Sequence, residues 1–174
     1  HLGKNQYEVD LRDCKSEFEV VKKIKNFLKL NGNLFWINGG GWNQENFETK
    51  SLPDNDYLSI NFPDIPITLS RIDGHATWCN KKALDMANIQ EYTPVPVGGE
   101  ILKENGLLTG ILVDKAQQLI RNIIPKDNID DVKKWILKAQ EICLSKGLTE
   151  VHDAGISSIQ FDAYKELINE NKLK

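Results

Sequence analysis

The groups in this chain best suited to hold a metal or pass a proton are its imidazoles, His1, His75 and His152. Two of them sit beside acids. His75 follows Arg71-Ile72-Asp73-Gly74, and His152 is followed by Asp153. An acid two residues from an imidazole can fix its tautomer and leave the other ring nitrogen for a ligand. An isolated histidine in a small domain more often makes a structural hydrogen bond, so position must decide. Trp42 and Trp78 can wall a pocket or fill a core. No Ser/His/Asp or Cys/His arrangement can be argued from the spacing, and no carboxylate pair stands out among the 25 acids. Cys14, Cys79 and Cys143 match neither a disulfide framework nor a zinc spacing. Cys143, on an apolar helical stripe, reads as a core thiol.

These residues must be held by regular elements. The run Ile67–Ile72 alternates and reads as a buried strand, broken by the turn pair Asp73-Gly74. His75, Trp78 and Asn80 then precede a short helix over 81–87, with Asn80 as its N-cap and Asn88 at its end. Upstream, residues 7–13 alternate as a strand. Ser16 with Glu19 forms a capping box for a helix to about Leu30, and Leu34–Asn38 reads as a short strand running into Gly39-Gly40-Gly41-Trp42. Three glycines permit a sharp turn or a close approach to a ligand, but the Gly-Lys-Ser/Thr of a phosphate loop is missing. A helical turn is expected near Asp56–Asn61. Asn105-Gly106 between apolar runs predicts a hairpin of 100–103 and 107–111.

A helix is expected from Val113 to Ile124, closed by Pro125, and a second from about Asp127 to Gly147 with Ile129, Val132, Trp135, Ile136 and Ala139 on one stripe. Leu148–Val151 reads as a strand ending in His152, Asp153 and Gly155. Ser157 with Gln160 opens a last helix. Helix, strand, polar tip and helix is the unit from which βα-barrels are built, with chemistry at the strand's C-terminal end.

Composition narrows the class. A net charge of −3 argues against a nucleic-acid partner, and no apolar run approaches the roughly 20 residues needed to span a bilayer. An odd cysteine count suits a reducing compartment, so a cytoplasmic location is expected. The chain opens on His1 and its one methionine is Met86, so a piece of a longer polypeptide, cut at both ends, is expected.

The segment Arg71-x-Asp73-Gly74-His75-x-x-x-x-Asn80-x-x-Ala83-Leu84 resembles a signature of the YtcJ-like branch of the metal-dependent amidohydrolases, the amidohydrolase-3 type. The similarity continues in order through Trp36-Ile37-Asn38-Gly39-Gly40-Gly41-Trp42, Gly98-Gly99-Glu100-Ile101, Thr109-Gly110 and Val151-His152-Asp153-Ala154-Gly155. Asn43 stands where that pattern carries an acid. The resemblance implies an α/β fold, a fragment of a TIM barrel. Residues 1–125 would be a strand-rich insert covering the active site, with 1–4 following the first barrel strand. Residues 126–174 would be a helix-strand-helix piece of the barrel.

The same resemblance implies that Trp42, Arg71, Asp73, His75, Trp78, His152 and Asp153 face a substrate. It matches His1 to the second histidine of a metal-binding pair and puts the later ligands beyond residue 174. It assigns no catalytic residue. The implied activity is hydrolysis of a non-peptide C–N bond in a small amide-like molecule by metal-bound hydroxide, with a divalent metal, zinc by expectation, in the full-length enzyme. The 174 residues alone would be inactive, would bind no metal, and would offer strand edges through which copies could associate. The alternative is a self-contained small-molecule-binding or interaction module without metal chemistry. A covered Val151 would favour that module, and an apolar surface left open there would favour the barrel piece.

Overall fold

The glycine run, the alternating runs and the Asn-Gly hairpin assemble into a mixed six-stranded sheet. The structure, a computed structural model, describes residues 2–32 and 34–174. They form two units, one of Val9–Pro125, the other joining the residues up to Glu8 with Lys126–Lys174.

The sheet belongs to the first unit. Its strands are β1 (Val9–Asp10), β2 (Ile37–Trp42), β3 (Ile67–Arg71), β4 (Ala76–Cys79), β5 (Gly99–Glu104) and β6 (Leu107–Asp114), in the spatial order β1-β2-β3-β4-β6-β5. The β1–β2 and β2–β3 pairs are parallel and need crossovers, which helices α1 (Glu17–Asn31) and α2 (Asp56–Asn61) help supply. The other pairs are antiparallel. Ser16 caps α1 by accepting from the Glu19 N–H, and the Glu19 carboxylate accepts from Lys15 N–H rather than from Ser16.

The glycine run serves the chain itself. A Cβ on Gly39 would sit 2.8 Å from the Val9 carbonyl oxygen and 2.9 Å from Val9 Cβ. Gly41 has φ +92° beside a register shift between Gly40 and Trp42. Side-chain-free backbone therefore lets β1 and the following turn close onto β2. Above this, Trp42 and Trp78 meet edge to face at 6.1 Å with no exposed surface. Such a pair adds roughly 0.5–1.5 kcal/mol beyond the area it buries.

Several elements differ from expectation. Ala76–Cys79 is a strand, although it was expected as a lead into the helix that follows. All four of its residues are buried, which erases the alternation that marks a half-buried strand. The strand β6 continues to Asp114, so the helix expected from Val113 shrinks to α4 (Gln117–Arg121). The strand expected over 7–13 is the two residues of β1, preceded by a 3-10 turn at Lys4–Tyr7. The helix α3 (Lys81–Met86) has Asn80 as N-cap, accepting from Ala83 N–H, as its sequence predicts.

In the second unit, α5 (Ile129–Ser145) packs on α6 (Ser158–Asn169) through Val132, Ile136, Ala163 and Leu167. Ser157 and Gln160 form the expected capping box. Residues 148–157 carry no strand. A strand exists only by sharing a ladder with a neighbour, and among the described residues none lies alongside. Val151 is 63% exposed.

Candidate functional site

The tight turn between β3 and β4 gathers Arg71, Asp73 and His75. Arg71 grips Asp73 with two parallel hydrogen bonds, Nε to Oδ1 at 2.9 Å and Nη2 to Oδ2 at 2.7 Å. Asp73 Oδ1 also accepts the backbone N–H of His75 at 2.9 Å. The Arg71 guanidinium holds the Asp73 carboxyl down at about 2, with help from the His75 N–H, and Asp73 in turn raises Arg71. The acid is therefore an anion across the working pH range, and its geometry fixes the backbone from which the imidazole projects.

The His75 ring is exposed, and its Nδ1 lies 2.7 Å from Oδ1 of Asp114 at the end of β6. Among the described residues, Nε2 of that ring has no hydrogen-bond partner. Beneath the turn, the buried side chains of Thr77 and Gln117 anchor a chain of polar contacts. Thr77 Oγ1 donates to Gln117 Oε1 at 2.7 Å, Arg121 donates to the same oxygen at 2.9 Å, and Gln117 Nε2 donates to the Gly74 carbonyl at 3.1 Å. Gln117 thus ties the turn to the start of α4. Asp114 and Gln117 are absent from the sequence-based site because the helix expected from Val113 absorbed both. The Asn105-Gly106 hairpin, extended in register, would have brought Asp114 to the strand end.

Trp42 and Trp78 are buried rather than presented to solvent. Their indole N–H groups donate to the Leu69 and Asp54 carbonyls. Trp42 ends β2 and Trp78 lies in β4, and their rings meet in the core of this unit. His152 and Asp153 lie in the other unit. They line a groove of about 380 Å³ with Trp135, Ile136, Ala139 and Val151. His152 Nε2 meets Glu150 at 3.1 Å, and Asp153 accepts from Gly155 N–H. His1, the expected metal ligand, lies outside the described residues.

The donors at the corner do not suit a metal ion. One imidazole is present, Asp73 is committed to Arg71, and among the described residues no three His, Cys, Asp or Glu side chains converge. The corner can instead orient a small molecule through one fixed imidazole and one fixed ion pair.

The α/β fold is similar to that of metal-dependent hydrolases: crystal structures of uncharacterized metal-dependent hydrolases from Pyrococcus horikoshii OT3 and Pyrococcus furiosus superpose with TM-scores of 0.68 and 0.69, at 28% and 30% identity, over 99% of this chain. Residues 1–174 match the model described as the Amidohydrolase family, and the chain belongs to that family. It is 35% identical over 170 residues to the Bacillus subtilis protein YtcJ, named as an amidohydrolase. It is 27% identical over 178 residues to the N-substituted formamide deformylase of Arthrobacter pascens. The chain covers 94% and 95% of itself in these matches but only 32% of either relative. It covers 32% and 33% of the two solved structures.

Proposed function

We propose that these residues form about a third of a metal-dependent hydrolase that cleaves a non-peptide C–N bond in a small amide-like molecule. Water supplies hydroxyl to the acyl carbon and a proton to the departing amine. The observation that carries the reading is the Arg71–Asp73–His75 corner, whose ion pair and imidazole are rigidly held yet open to a ligand. The matched families and the names of the relatives support the hydrolytic class, and the A. pascens deformylase makes N-substituted formamides the first substrates to try.

A divalent metal, zinc on this reading, supplies the activated water in the intact enzyme. Its ligands are residues other than those at the corner, with His1 a candidate from this chain. The chain's own part is to bind and orient the substrate. Exposure of Leu148, Val151 and Ile156 supports a barrel segment that further strands cover, over a self-contained binding module. The 174 residues alone, on this reading, turn nothing over.

The test is a chelator titration of the intact hydrolase with a panel of N-substituted formamides and other N-acyl amines. Turnover should vanish on metal removal and return with a divalent ion. Turnover indifferent to chelation would contradict the reading.

A further inference from the structure

The partner of His75 comes from the sheet itself. Beyond the pair Ala76 and Val113, the β4–β6 ladder brings His75 opposite Asp114, whose N–H donates to the His75 carbonyl at 2.8 Å. Asp114 ends the strand with φ +47°, a left-handed conformation that Asp tolerates better than most residues. Its carboxylate stands 2.7 Å from Nδ1. A carboxylate can only accept, so Nδ1 must carry the proton, and in the neutral ring Nε2 is left as a bare lone pair. Asp73 fixes the backbone of the same residue at 2.9 Å. One acid sets where the imidazole starts; the other sets which way it presents its lone pair.

We infer that Asp114 is a positioning residue that locks His75 as the Nδ1–H tautomer, so that Nε2 selects a ligand offering a hydrogen-bond donor. Resting on the proposed function, that donor is the N–H of a secondary amide-like substrate, and a fully N-substituted analogue is disfavoured. The tautomer itself follows from the strand register and does not depend on the hydrolytic reading.

Selective ¹⁵N-histidine labelling, with His75→Gln for assignment and alkaline buffer to keep the ring neutral, reads the tautomer directly. The expected spectrum has Nδ1 protonated and Nε2 unprotonated. Asp114→Gly keeps the left-handed backbone and removes the carboxylate, so the proton should move to Nε2, the favoured site in a free imidazole. Asp114→Asn, equal in shape but uncharged, should lower the Nδ1–H population if the glycine variant does not fold. An Nε2–H ring in the wild type, or a tautomer unchanged in both variants, overturns the lock. In the intact enzyme, kcat/KM for an N–H amide should exceed that for its N-methyl counterpart by about tenfold or more, the effect of one unpaired polar contact. His75→Gln should abolish that preference. Equal rates for both amides would overturn the donor selection while leaving the hydrolase standing. Absence of any amide turnover would remove the hydrolase reading, and the spectrum would still decide the role of Asp114.

Discussion

Asp73 anchors the corner through charge. Its carboxyl is lowered to about 2, first by the Arg71 guanidinium, against an ordinary value of about 3.9. A group lowered on folding contributes stability above its unfolded value, and that contribution is lost as pH falls through the folded one. The turn should therefore stay ordered from neutral pH to about pH 4 and loosen as pH falls toward about 2. A ¹³C carboxyl titration should give Asp73 a midpoint near 2. Arg71→Leu should return it toward the ordinary range, and a midpoint unchanged by that substitution would contradict the pairing. The sequence exposed this part of the site because Arg71, Asp73 and His75 are close along the chain, as local hydrogen bonds require. Asp114 was illegible because its contact spans 39 residues and exists only once a strand register is fixed.

At the scale of elements, local signals are legible in the sequence and long-range ones are not. The N-caps Asn80 and Ser157 act as their spacing predicts, and Ser16 caps α1 without the return bond from Glu19, since a cap needs only the next three residues. β4 is illegible because all four of its residues are buried and its alternation is lost. The glycine run, which by sequence permits a turn or a ligand approach, is an interior strand crowded by β1. Gly39→Ala tests that packing. Its methyl has no room against Val9 and Leu69, and overpacking of this kind costs about 1–3 kcal/mol. The urea midpoint should fall at constant slope, by that energy divided by the slope. A midpoint equal to wild type would mean β1 is free to move away.

At the scale of the molecule, the chain is a family member that spans about a third of its relatives, 32% of the B. subtilis protein. Among the described residues it carries no converging set of metal donors, and no helix long and apolar enough to cross a membrane. What it does carry is a turn between two interior strands with a bidentate ion pair and an oriented imidazole. On the proposed function, the metal chemistry lies elsewhere in the intact hydrolase and substrate orientation lies here. Sequence motifs conveyed the family because they concentrate at turns and strand ends. They could not convey what Trp42 and Trp78 do, because burial is a property of the assembled sheet.

The most direct measurement is kcat/KM and metal content of the intact hydrolase, wild type against His75→Gln, on an N-substituted formamide or other N-acyl amine that it turns over. The account predicts a loss of about tenfold or more in kcat/KM, worth about 1.4 kcal/mol, with metal content unchanged. Undiminished kcat/KM would contradict it, because the corner would then take no part in holding the substrate.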